Sequence, residues 1–191
     1  MRLSILDHGH PLRMKALFAL IRLVSRQPVV DVVRLALYRP DFYPAGPLAQ
    51  EAMRGPSAWS VGDRELMAAF VAKANANRFC VAAHSATSSI WYGDADKVTA
   101  ALADVETAPI DEPLRATLRM LGRLCRDGHV DADEMRTVLD AGVTPDQVRD
   151  ALAVALSFNI TTRLADAFDF EVASPGAMNA GARYLLRRGY S

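Results

Sequence analysis

Cysteine is scarce in this chain of 191 residues: Cys80 and Cys125 are the only two. Two thiols cannot frame a disulfide-stapled secreted domain, and no basic leader, apolar run and cleavage site stand together at the N-terminus. A reducing cytoplasm is therefore the expected compartment. Charge of one sign is also missing, since 22 lysines and arginines face 22 aspartates and glutamates. No global field is available to gather nucleic acid or an anionic membrane, so partners must be argued from sites. Long apolar runs are absent too. The most apolar early segment, Ala16 to Ile21, is followed by Arg22 and Arg26, well short of the roughly 20 apolar residues a membrane span needs. No segment alternates with the period of a strand. What is present is a 51% hydrophobic composition, enough for the core of one domain.

Helical spacing carries almost the whole chain, so the expected fold class is all-α. Leu12, Leu17, Leu20, Ile21 and Val24 recur with the spacing of an amphipathic helix from Pro11 to Ser25. Pro28 fits the first turn of a second helix reaching about Tyr38, where Arg39-Pro40 forces an extended exit. Prolines and glycines from Pro40 to Pro56 mark a loop-rich stretch holding one short helix from Leu48 to Arg54. Ser60 with Asp63 reads as an N-cap and a favourable first-turn charge for a helix to about Ala74. A further helix starts near Asn77 and stops at Gly93. Helices are then expected over Asp96–Val105, Glu112–Arg126 with Gly128 closing it, and Asp131–Asp140. Thr144-Pro-Asp-Gln147 starts a long helix, with a kink or break expected at Asn159, Thr161 and Thr162, which are weak helix formers. Ser174-Pro-Gly caps a last helix from Ala177 to Arg188.

One stretch carries chemistry. In Asn77-Arg-Phe-Cys80-Val-Ala-Ala-His84, cysteine and histidine four residues apart lie on one helical face, close enough for a thiol and an imidazole to share a proton. If Asn77 is the N-cap, Cys80 sits in the first turn, where the positive end of the helix dipole favours a thiolate, the form that attacks peroxides and disulfides. His84 then accepts the thiol proton. Glu65, on the preceding helix across a very short connection, is the candidate to fix the imidazole tautomer.

The order Glu65, Asn77, Cys80, His84 resembles the core of the alkylhydroperoxidase D-like, carboxymuconolactone decarboxylase superfamily. The flanks Tyr38-Arg-Pro40, Arg54-Gly-Pro-Ser57-Ala-Trp-Ser60, Arg64-Glu65-Leu66, Phe158-Asn159 and Arg163-Leu-Ala-Asp-Ala167 resemble its peroxidase-related branch. The resemblance implies an alkylhydroperoxidase D-like helical bundle over residues 38–191, preceded by an N-terminal helical extension over 1–37. It implies trimers or hexamers, and a Cys-x-x-Cys pair in which glutamate and histidine relay protons to the second cysteine. Cys80 matches that second cysteine, His84 the histidine and Glu65 the glutamate. Asn77 stands where the first cysteine would be, so no internal motif disulfide can form; Cys80 would be regenerated by an external thiol, the preferred route, or by Cys125 if the fold or a neighbouring subunit brings it near. Cys125, on an apolar helical pattern, reads as a small core residue rather than the resolving thiol.

The expected function is that of a thiol-dependent hydroperoxide reductase acting through Cys80, His84 and Glu65. Its partners would be a hydroperoxide or other small-molecule substrate, a thiol reductant and further copies of itself, with no nucleic acid, membrane, cofactor or metal. Two alternatives stand beside it. One is a lyase or isomerase in which Glu65 and His84 do acid–base work and Cys80 is a bystander; the other is a non-catalytic oligomer binding a small ligand. A zinc held by Glu65, Cys80 and His84 is a minor variant, as is a metal on His8 and His10. Trp59, Trp91 and Tyr92 are expected in the core, and Arg64 in a surface or interface ion pair.

Overall fold

The computed structural model describes residues 4–39 and 45–190, all helix and connection with no strand among them. Pro40 and Pro44, two of the expected chain breaks, lie outside the described residues. A short α1 (Ile5–His8) precedes α2 (Leu12–Ser25), α3 (Asp31–Tyr38) and α4 (Ala45–Arg54). The centre is a hairpin of α5 (Val61–Ala74) and α6 (Arg78–Tyr92), followed by α7 (Ala95–Ala103), α8 (Glu112–Asp127), α9 (Ala132–Asp140), the long α10 (Pro145–Ala167) and α11 (Pro175–Arg188). Among the described residues, no helix is long and apolar enough to cross a membrane.

The hairpin is specified locally at both ends. Ser60 Oγ accepts from Asp63 N at 3.0 Å while Asp63 Oδ2 accepts from Ser60 N at 3.0 Å, a reciprocal cap that starts α5. Ala76 takes a left-handed conformation, φ 56°, and turns the chain back so that Asn77 caps α6. Gly93, φ 67°, stops α6. Gly62 is needed for close approach: a Cβ there would lie 2.2 Å from Cδ1 of Trp91, so only glycine lets the indole cross α5.

Helices α4, α8 and α10 pack on α5, and α11 lies along α6. Leu66, Met67 and Val71 of α5 meet Leu114, Leu118 and Leu121 of α8 and Val154 and Phe158 of α10 in one fully buried core. A second cluster gathers Leu35 of α3, Phe79 and Cys80 of α6, Ala165, Phe170 and Met178. Segment 27–38 is tied to the same region by polar contacts. Asp31 Oδ2 accepts from Glu171 N at 3.0 Å, and Gln27 Oε1 accepts from Ser174 Oγ at 3.2 Å.

Several boundaries differ from the sequence expectation. Pro28 precedes α3 rather than opening it, because the chain stays extended through Val30 and buries Val29. Helix α4 begins at Ala45, with Pro47 tolerated in its first turn, and α7 ends at Ala103, short of Val105. The expected break in α10 is absent. Thr161 and Thr162 hydroxyls donate back to Ser157 O at 2.9 Å and Phe158 O at 2.7 Å, and the Asn159 amide to Ala155 O at 2.9 Å. Burial of Thr161 and Thr162 overrides weak propensity there, and the back-bonds satisfy their hydroxyls inside the packed helix.

Candidate active site

Glu65 lies in the second turn of α5, 0% exposed, and its carboxylate is surrounded by donors from three other parts of the chain. His84, on the facing side of α6, places Nδ1 2.8 Å from Oε2. Arg54, the last residue of α4, donates from Nη2 to Oε1 at 2.7 Å. The hydroxyl of Tyr190, just past α11, sits 3.0 Å from Oε1 and 3.1 Å from Oε2. Burial alone pushes the Glu65 carboxyl up, but the hydrogen bond and charge of His84 and the Arg54 guanidinium outweigh it and hold the group below the usual carboxylate range. An ionised Glu65 only accepts, so His84 donates from Nδ1, and that bond leaves Nε2 unengaged by the carboxylate. The edge of Phe158 meets the imidazole at 4.4 Å between centroids and fixes the plane of the ring.

Cys80 follows one turn earlier on the same face of α6. Asn77 caps the helix as expected, its Oδ1 accepting from Cys80 N at 2.8 Å. Its amide nitrogen is used as well, donating to Asp166 Oδ1 at 2.6 Å and to Thr162 O at 3.2 Å. The thiol is 1% exposed, and burial, with the negative charge of Asp166 behind it, pushes its pKa up to about 12. That corrects the expectation of a thiolate favoured by the helix start and by His84. The cap consumes the Cys80 N–H, the charge brought near is an anion, and His84 Nδ1 is engaged by Glu65. No hydrogen bond joins Cys80 to His84 among those of the described residues.

Of the other residues singled out, Trp59 is buried and donates from Nε1 to Gln147 O at 2.9 Å, and Tyr92, half-buried, donates to Asp63 Oδ1 at 2.5 Å. Trp91 is 48% exposed and covers Gly62, not the core. Arg64 is buried and donates to Gly55 O at 2.8 Å and Ala52 O at 3.3 Å, locking the α4–α5 connection in place of any surface ion pair. Cys125 is half-buried beside the main core, with the Asn159 amide 3.8 Å from its sulfur, while Cys80 belongs to the second cluster. Asn159 also accepts from Asn75 Nδ2 at 3.0 Å, a structural role at the foot of α5. Arg163 is exposed and donates to Asn159 O. His8 is exposed while His10 is buried. No group of three histidine, cysteine, aspartate or glutamate side chains among the described residues is placed to hold a metal ion. The geometry thus gives no support to zinc on Glu65, Cys80 and His84.

Sequence reasoning missed Arg54, Tyr190 and Asp166 as members of the site. One signal existed for the first: a glutamate assigned to a buried helix face needs a compensating cation. Arg54 and Arg64 were the nearest arginines before it, and spacing alone does not choose between them. Tyr190 and Asp166 are brought in by tertiary packing and leave no local pattern.

No protein-family model matches the chain, and no curated protein matches it. Solved structures do. An uncharacterized peroxidase-related protein from Silicibacter sp. TM1040 superposes with a TM-score of 0.73 at 21% identity, over 86% of each chain. A second, from Ralstonia eutropha JMP134 and described as an alkylhydroperoxidase AhpD core, superposes with a TM-score of 0.72 at 21% identity, over 91% of this chain and 92% of that one. The chain has the alkylhydroperoxidase D-like fold. The likeness at this identity is one of fold, and it extends over most of the chain.

Proposed function

We propose that the chain is a thiol-dependent hydroperoxide reductase in which Cys80 is the nucleophile, His84 the proton carrier and Glu65 the residue that positions the imidazole. The observation that carries this reading is the 2.8 Å bond between His84 Nδ1 and the buried Glu65, which leaves Nε2 unengaged by the carboxylate on a histidine one helical turn from Cys80. His84 takes the thiol proton, the thiolate attacks the distal oxygen of the hydroperoxide, and the O–O bond breaks. The leaving alkoxide receives the proton from His84 and departs as an alcohol. Cys80 is left as a sulfenic acid. One external thiol displaces water to form a mixed disulfide, and a second releases its own disulfide and the Cys80 thiol. The resting thiol is protonated and covered by Leu35, Phe170 and Met178, so deprotonation accompanies substrate entry.

Loss of tert-butyl hydroperoxide in the presence of dithiothreitol tests the reading. Cys80→Ser abolishes turnover and His84→Ala lowers it by about 10²–10⁴-fold; turnover that survives Cys80→Ser refutes it. A second reading, a lyase or isomerase using Glu65 and His84 alone, is favoured by the raised thiol pKa, and activity on a lactone that persists in Cys80→Ser would select it. Self-association into a trimer or hexamer belongs to the same proposal. It is supported by α2, where Leu12, Leu20, Leu23 and Val24 are exposed and no residue is buried. Sedimentation as a monomer would remove that part.

A further inference from the structure

We propose that Tyr190 is a positioning residue of this site, setting the charge and orientation of the Glu65 carboxylate and, through it, the tautomer of His84. The hydroxyl lies almost midway in the fork of the carboxylate, 3.0 and 3.1 Å from its two oxygens. Arg54 occupies Oε1 and His84 Nδ1 occupies Oε2, so a rotation of the carboxyl group breaks all three interactions together. Tyr190 therefore fixes which oxygen faces the imidazole.

The ring itself is held on several sides. The Arg54 guanidinium carbon stands 5.1 Å from its centroid. The His84 ring runs nearly parallel, 14° apart in plane and 6.3 Å between centroids, and Phe158 approaches with planes 73° apart at 6.5 Å. Its backbone N–H donates to Gln50 Oε1 at 2.6 Å. Gly189 delivers it there, with φ 75° and ψ −152°; a Cβ at Gly189 would stand 2.3 Å from Gln50 Oε1. A residue packed only for its bulk would need neither this turn nor a hydroxyl aimed at both carboxylate oxygens.

The neutral phenol is the useful form. Burial first, then the charge of Glu65, pushes Tyr190 well above the ordinary phenol range, so it remains a donor across the pH range in which an enzyme works. The titratable and charged groups facing Glu65 are Arg54 from α4, His84 from α6 and Tyr190 itself, with Arg64 adjacent on α5. Unlike the Arg54 guanidinium, the Tyr190 hydroxyl donates to the carboxylate without bringing a charge. Removing its hydrogen bond withdraws one stabilising contact from the anion without changing the formal charge of the site.

The assignment rests on the proposed reaction only for its effect on turnover, and its test has a readout that does not depend on catalysis. The Glu65 carboxyl is titrated by carbon-13 NMR in the native chain, in Tyr190→Phe and in the control Tyr184→Phe, which alters an exposed tyrosine of α11. A hydrogen bond to a charged group predicts that the Glu65 midpoint moves up by about one to two pH units in Tyr190→Phe and not at all in the control. Turnover of tert-butyl hydroperoxide falls by about tenfold with KM unchanged. A midpoint that stays in place in folded Tyr190→Phe overturns the proposal. If that variant loses its near-ultraviolet circular dichroism, Gly189→Ala replaces it: the hydroxyl is retained but displaced, and the midpoint must still rise or the proposal fails. A shifted midpoint in proteins that turn over no peroxide refutes the reaction and leaves the positioning role standing. Full turnover with an unmoved midpoint does the reverse.

Discussion

The titration of Cys80 discriminates most sharply between a resting nucleophile and a resting thiol. With Cys125 replaced by serine, Cys80 is the sole thiol, and its ionisation can be followed by thiolate absorbance and by the rate of alkylation with iodoacetamide. Burial, aided by Asp166, moves the pKa from 9.0 to about 12, a rise of three units. At pH 7 the thiolate fraction falls accordingly from about one in 10² to about one in 10⁵, a thousandfold loss of the reactive form. The alkylation rate should rise about tenfold per pH unit from pH 7 to pH 10 without a plateau. Opening fluctuations of the cover multiply this rate but create no plateau until the open thiolate dominates. Asp166→Asn, which removes the smaller of the two causes, should raise the rate at every pH. The shift also has a sign for stability: it is fully present below pH 9 and lost as pH rises towards 12, up to about 4 kcal/mol at about 1.4 kcal/mol per unit. A plateau in rate or absorbance below pH 9 would refute the reasoning, because it would mean that the helix start or His84 stabilises the thiolate despite burial.

Two further perturbations test the supports of the site. Glu65 is held below the ordinary carboxylate range, so its contribution to stability is present above about pH 4.5 and is lost as pH falls through the lower folded value. Urea midpoints between pH 2 and pH 6 should show that acid dependence in the native chain and a weaker one in Glu65→Gln; equal slopes count against it. Asn77→Ala removes the cap of α6 and strips Asp166 and Thr162 of a donor, for a cost of about 1–3 kcal/mol in urea unfolding. Asn77→Asp keeps the cap but sets a second carboxylate against Asp166, and it should recover less stability at pH 7 than at pH 4.

What could be read from the sequence follows the range of the interactions involved. Ser60, Asn77, Thr144 and Ser174 act within four residues of themselves, and each caps the helix it was expected to start. The pairing of Glu65 with His84 was also legible, because a connection of three residues leaves two helices little choice but to lie side by side. The failures come from forces that act across the chain. Nothing local reports that Asn159, Thr161 and Thr162 are stitched into an unbroken helix, or that Trp91 lies outside the core. The electrostatics of Cys80 depend on the same distinction. A first-turn position and a histidine one turn on argue for a thiolate, but Asp166 arrives from a helix more than eighty residues away and Leu35 from the other end of the chain. Asn77 joins the two scales. By sequence it marks the missing cysteine; in the fold it caps Cys80 with its oxygen and holds Asp166 with its nitrogen. On the reaction proposed above, Asn77 thus leaves Cys80 without a motif partner thiol and also holds an anion near it, and both effects would favour an external thiol and deprotonation coupled to substrate entry.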